Sequence, residues 1–206
     1  MKRTDELDER LGRLFDESKG RRWSLVDGPG EVVVEEKARD GLAEIRCRFP
    51  EGFRVIFWRH EARDFWPIAS DKNADGAMLV VRPDGMLEAH VMECKQTVSA
   101  SEWRKALLQL EWTLTRLLAI AGALHERVDR VVLYTAYGKD ALSPDESPDA
   151  ELFKLPLEDG ANEIVRRDRA WMLSDVPLPG WASPFPHEKV KKDDLGHASI
   201  DLRLDR

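Results

Sequence analysis

Two carboxylates and a lysine stand at the open end of an apolar hairpin in the stretch ADGAMLVVRPDGMLEAHVMECKQT, residues 74–97. One apolar run starts at Asp75; the other ends in Glu93-Cys94-Lys95, and Pro83-Asp84-Gly85 lies between them. Pro suits the first αR position and Gly the αL position of a three-residue hairpin loop. Such a loop sets Arg82 opposite Met86, and counting back along both strands brings Asp75 to face Glu93. Opposed Cβ atoms lie roughly 5 Å apart, and like charges so placed repel. A divalent cation between them removes the repulsion. Strand alternation keeps Lys95 on the face of Glu93 and turns Cys94 away. Two carboxylates with room for water and substrate oxygens suit Mg²⁺. A lysine beside them can polarise an attacking water or stabilise charge on a phosphorane-like transition state. The plainer alternative is a carboxylate–lysine pair at a surface strand end. Register decides between them: a two-residue Asp84-Gly85 loop would turn Asp75 toward Cys94 and away from Glu93, leaving Asp71 as the substitute ligand.

The elements that must hold these residues follow from periodicity. Residues 4–17 carry Leu7, Leu11, Leu14 and Phe15 at helical spacing behind a Thr4 N-cap. Three β-like runs, 31–38, 42–49 and 53–62, are joined by RDG and PEG, which suit hairpins. After the hairpin, Ser99 or Ser101 caps a helix over 101–124 with Glu102 in its first turn. RVVLYTAYG, 130–138, is apolar on both sides and reached through a helix, so it adds in parallel to a covered sheet. Beyond residue 138 the chain turns acidic and rich in Pro and Ser. There 162–173 reads as helical, PLPGWASPFPHEKVKKDD as irregular, and ASIDLRLD as a late edge strand. The reading is one domain over 1–206, with a core of about 1–138 and an elaboration over 139–206.

This order of a strand, an Asp75-Gly76-led strand, a strand ending Glu93-Cys94-Lys95, a helix and a further strand resembles the αβββαβ core of the PD-(D/E)xK nuclease superfamily. The resemblance covers roughly residues 1–138. It implies a restriction-endonuclease-like α/β (α+β) fold, with a mixed central β-sheet flanked by helices and extra N-terminal strands. It also implies that Asp75 and Glu93 ligate Mg²⁺ or Mn²⁺, that the Cys94 main-chain carbonyl completes the set, and that Lys95 is the catalytic lysine. Gln109 is similar to the helix glutamine of some branches. The implied activity is phosphodiester hydrolysis, on DNA ahead of RNA, by a nuclease subunit of a restriction or anti-phage complex with a protein partner or a second copy. Two departures stand out. Ala74 precedes Asp75 where many members have proline, and the extra first-helix acid has three candidates, Glu6, Glu9 and Glu17.

Composition narrows the rest. A chain of 206 residues that is 42% hydrophobic and 34% charged is globular in composition. The charged N-terminus carries no secretory pattern, and the apolar helix contains Gln109, Glu111 and Arg116, so no membrane span is expected. Two cysteines, Cys47 and Cys94, suggest reduced thiols and a cytoplasmic home. A net charge of −7 argues against tight autonomous binding to duplex nucleic acid. It favours the rival reading, a catalytically silent protein-interaction module on the same scaffold.

Other residues are weighed against blander roles. Gln96 and Thr97 could orient a phosphate or simply face solvent, and Lys105 could reach the substrate side. His90, on the opposite strand face from Glu93, is expected to pack. Trp58, Trp66, Trp103 and Trp112 belong to a core, while Trp171 and Trp181 could stack on bases. Arg166, Arg167 and Arg169, and Lys189, Lys191 and Lys192, could touch phosphates. No HExxH, CxxC, GxSxG or Gly-rich phosphate loop occurs.

Overall fold

The computed structural model describes residues 3–14, 23–36, 43–58, 72–143 and 168–202. Glu17, Asp71, Trp66, Arg166 and Arg167 fall outside them. The first helix, α1 (Arg3–Leu14), buries Leu7 and Leu11, one turn apart on the same face. Strands β1 (Trp23–Asp27), β2 (Gly30–Glu35), β3 (Glu44–Phe49), β4 (Arg54–Trp58), β5 (Gly76–Val81) and β6 (Leu87–Val98) follow. Then come α2 (Ala100–Ala123), β7 (Arg130–Asp140), β8 (Asp175–Val176), β9 (Phe185–Lys191) and β10 (His197–Asp201).

Seven strands form a mixed sheet in the order β1-β4-β5-β6-β7-β9-β8, and three form a smaller sheet in the order β10-β3-β2. β4, β5 and β6 are mutually antiparallel, whereas β6, β7 and β9 run parallel. The large sheet is sandwiched. On one face Leu79, Leu87, Ala89 and Val91 meet Leu107, Leu110 and Leu114 of α2 and Leu7 and Leu11 of α1. On the other, Met78, Val80, Met92 and Cys94 meet Val32, Val34, Ile45 and Cys47 of the smaller sheet. Two-sided cover explains why GAMLVV in β5 is apolar at every position and buried throughout. α2 starts as its sequence dictates, with the Ser99 side chain accepting from the Glu102 N–H at 3.4 Å. Among the described residues no helix is long and apolar enough to cross a membrane.

Several expectations need correcting. β2 and β3 pair as a hairpin, but Pro50-Glu51-Gly52 does not make one: it carries the chain from the smaller sheet (β3) to the larger (β4). β1 is an additional strand, antiparallel to β4. The segment read as irregular contains β9, hydrogen-bonded in parallel to β7. The residues after 138 are therefore part of both sheets, since β10 also adds to β3 as the expected edge strand. Of the expected helix 162–173, residues 162–167 lie outside the described residues, 168–169 are α-helical, and Ala170–Met172 form a single 3₁₀ turn.

Candidate active site

Hairpin geometry places the residues first. The Arg82 N–H donates to the Met86 carbonyl at 3.0 Å, closing the three-residue loop. Gly85 supplies the positive φ of 86° that such a loop needs. Gly76 then pairs with Met92 and Val81 with Leu87, the register that sets Asp75 level with Glu93. The alternative two-residue turn is ruled out. Asp75 lies just before the first paired residue of β5, and its Oδ2 accepts from the Cys94 N–H at 2.8 Å. A Cβ on Gly76 would come within 2.7 Å of Val34, so glycine lets β2 close over this end of the hairpin.

Glu93 is buried at 1% exposure. Its Oε1 accepts from Lys95 Nζ at 2.6 Å, while its Oε2 has no hydrogen-bond partner. Burial, reinforced by the Asp75 charge, pushes the Glu93 carboxyl up to about 8, with the Lys95 ammonium pulling the other way. Lys95 Nζ also donates to Gln109 Oε1 at 2.9 Å and lies 3.9 Å from Glu102 Oε2. The Gln109 amide is fixed at both ends, because its Nε2 donates to the Asn73 carbonyl at 2.9 Å.

That second bond belongs to a clamp that the sequence reading missed. One face of α2 carries Gln109, Thr113 and Arg116, four and three residues apart. Thr113 Oγ1 accepts from the Ala74 N–H at 2.7 Å. Arg116 Nη1 donates to the Lys72 carbonyl and to Asn73 Oδ1, each at 2.6 Å. Three polar side chains in the buried stretch of α2 thus grip residues 72–74, the chain leading into Asp75. The available signal was this polar i, i+4, i+7 stripe.

A further acid was also missed. Glu36, one residue past β2, faces the fully buried ammonium of Lys192 at 3.5 Å. Its charge is close enough to add to the upward push on Glu93 and Cys94. The first-helix acids lie elsewhere: Glu6 is 4.0 Å from Arg10, and Glu9 pairs with Arg13, both on exposed turns of α1.

The remaining candidates separate cleanly. His90 bonds the Tyr134 hydroxyl and Glu88 Oε2, each at 3.0 Å, on the face away from Glu93. Lys105 is exposed and paired with Glu102. Gln96 and Thr97 extend β6 and do not end it. Trp58 and Trp103 are buried, and Trp112 is half-buried. Trp171 is fully buried against Trp103, Tyr137 and His187, so it is no surface platform for bases. Trp181 is half-buried against Phe185. The thiols of Cys47 and Cys94 are buried, and burial pushes both up, Cys47 to about 12, which suits inert core cysteines.

Among the described residues, no group of three or more His, Cys, Asp or Glu side chains could hold a metal ion. The protein oxygens on offer are those of Asp75 and Glu93 and the Cys94 main-chain carbonyl. They fit a hard cation that keeps several waters or substrate oxygens, and the unpartnered Glu93 Oε2 is the atom left wanting one. No protein-family model, curated protein or solved structure matches the chain.

Proposed function

We propose that the chain is a metal-dependent nuclease that hydrolyses nucleic-acid phosphodiesters, with DNA ahead of RNA as substrate. The observation that carries the reading is the meeting of Glu93, Lys95 and Gln109 in one hydrogen-bonded chain beside Asp75, with Glu93 Oε2 buried and unpartnered. Asp75 and Glu93, with the Cys94 carbonyl, would hold Mg²⁺ or Mn²⁺. A divalent cation there supplies Lewis acidity toward phosphoryl oxygen and toward an attacking water. Lys95 brings a fixed positive charge to the place where the phosphoryl group gains negative charge. Gln109 holds Lys95 on one side and the approach to Asp75 on the other, so it keeps cation ligand and ammonium in a constant relation. The resemblance to the PD-(D/E)xK superfamily adds that such a chain serves in a restriction or anti-phage complex in the cytoplasm. A net charge of −7 supports a partner protein or a second copy that completes the grip on nucleic acid.

The test is cleavage of single- and double-stranded DNA and of RNA with Mg²⁺ and with Mn²⁺ by the wild type, Asp75→Ala and Lys95→Ala. Metal-dependent cleavage by the wild type alone supports the reading, and equal activity in all three rejects it. The acidic balance also favours a second reading, an interaction module without catalysis. Calorimetry separates the two: Mn²⁺ binding that disappears in Glu93→Gln belongs to the hydrolytic site, and a silent scaffold shows none.

A further inference from the structure

We infer that Glu102 is a positioning residue that receives the Lys95 ammonium when Asp75 and Glu93 take up their cation. The inference rests on the hydrolytic reading above, because it concerns how the same centre makes room for a metal. Lys95 Nζ sits 2.6 Å from Glu93 Oε1, so an ammonium engages one of the two oxygens that Glu93 can offer. The other, Oε2, is buried without a hydrogen-bond partner. A divalent ion held by Asp75 and Glu93 would share that carboxylate with Lys95, and like charges so close in a buried place repel. The Lys95 side chain is only 13% exposed, so it has little water to turn to.

A second carboxylate lies within reach of the ammonium. Lys95 Nζ donates to Gln109 Oε1 at 2.9 Å, and Glu102 Oε2 lies 3.9 Å away, about 1 Å longer than a charge-assisted hydrogen bond. Glu102 and Gln109 stand seven residues apart on α2, two turns along one face. Gln109 is fixed at its far end by the Asn73 carbonyl. It therefore serves as a pivot: a small rotation of the lysine chain carries Nζ from Glu93 toward Glu102 and keeps its bond to Gln109. Lys105 holds Glu102 Oε1, which leaves Oε2 as the oxygen turned to Lys95. That exposed pair contributes little by itself. The Glu102 carboxyl is held below its ordinary value, first by the Lys105 hydrogen bond and also by the Lys95 charge, with burial opposing them. It is therefore charged at neutral pH and able to accept. Glu102 also stands in the first turn of α2, where a negative charge favours the helix. That role alone would need the charge but not its reach toward Lys95.

The test is Mn²⁺ binding by calorimetry at one fixed pH for the full chain, for Glu102→Gln, for Lys95→Met and for the two combined, with Glu102→Asp and Glu93→Gln alongside. The Glu102 side chain is 35% exposed, so neither replacement there disturbs the core. Glu102→Gln should bind Mn²⁺ about tenfold more weakly, a coupling of the size found between residues in contact. In the Lys95→Met chain the same change should leave the affinity unaltered, since no ammonium has to be moved. Glu102→Asp keeps the charge at the start of α2 but draws the carboxylate back by one methylene, and it should lose as much as Glu102→Gln. An equal loss with and without Lys95 would make Glu102 a long-range attraction for the cation and overturn the inference. An affinity unchanged in Glu102→Gln or in Glu102→Asp would overturn it too. Mn²⁺ binding that Glu93→Gln abolishes and Glu102→Gln leaves intact keeps the hydrolytic reading and removes the inference alone, whereas a wild type that binds no Mn²⁺ removes both. The expected cycle in a chain that cuts no nucleic acid with Mg²⁺ or Mn²⁺ keeps Glu102 in its role and removes hydrolysis.

Discussion

Replacing Glu93 by Gln should stabilise the metal-free protein at neutral pH, and the sign follows from where the carboxyl sits. Its folded-state value is pushed up to about 8, from an ordinary 4.5, by burial and by Asp75. Well below pH 4.5, the group is protonated whether the chain is folded or not, and it contributes nothing. As pH rises, the unfolded chain releases the proton while the folded chain keeps it, so the folded state loses about 1.4 kcal/mol per pH unit. The loss reaches about 3 kcal/mol at pH 7 and levels off as pH passes about 8. Gln keeps an oxygen for Lys95 and removes the titration. In chelator at pH 7, urea or thermal unfolding should therefore show Glu93→Gln more stable by about 3 kcal/mol, some 6–12 °C in Tm for a chain of this size. Near pH 3.5, about a unit below the ordinary carboxyl value, the two should coincide. Adding Mn²⁺ should reverse the order, because metal at a thousand times its Kd stabilises the wild type alone by about 4.1 kcal/mol. Parallel stability curves for the two proteins between pH 5 and pH 8 in chelator would refute the reasoning. They would mean that the carboxyl titrates near its ordinary range and is neither buried nor beside a second charge.

Two further outcomes follow from the neighbourhood. Thr113→Val keeps the shape of the side chain but leaves the Ala74 N–H without its acceptor. It should cost about 1–3 kcal/mol and weaken Mn²⁺ binding in calorimetry, because the chain entering Asp75 is no longer gripped. Unaltered metal affinity would show that the clamp supports the fold only. His187 is buried against Trp103 and Trp171 and is held down to about 3 by burial, with the Lys189 charge adding to the effect. Below pH 6.5 the unfolded chain takes up a proton that the folded chain refuses, so stability falls with pH, by about 2 kcal/mol at pH 5. His187→Gln should remove that slope between pH 6.5 and pH 5 in denaturation curves, and an identical slope would place the imidazole in contact with water.

The parts of the site that could be read from sequence are those set by local rules. Pro83-Asp84-Gly85 specifies a three-residue loop, the loop specifies register, and register decides which side chains face each other across β5 and β6. α2 announced itself through Ser99, Glu102 and an apolar run. What escaped was set by distant chain. β9 reads as irregular because Pro186, Glu188 and two lysines break its apolar pattern. It is a strand because β7 offers a parallel edge and only His187 on it is deeply buried. Trp171 resembles a surface aromatic until Trp103, Tyr137 and His187 close around it. Lys192 and Glu36 are 156 positions apart, and nothing local to either announces that they meet.

The acidity of the chain looks like the strongest objection to a nucleic-acid substrate, and the ion pairs show why a net count misjudges it. The arginines of the strands are largely spent on acids away from the site: Arg46 and Arg48 on Glu31, Arg54 on Asp27, and Arg82 on Glu88. Of the acids close to the centre, Glu93 is held protonated at neutral pH by its own burial, Glu36 is matched by Lys192, and Glu102 by Lys105. Lys139 and Lys191, at the ends of β7 and β9, have no such partners among the described residues. That end of the sheet also carries Asp140, Asp193 and Asp194, so its local balance is far less acidic than the chain's average without being a basic patch. Exposed charges are screened over about 8 Å at physiological ionic strength. A surface of that kind does little to capture a polyanion from solution, which fits the proposed reading in which a partner or a second copy does the capturing.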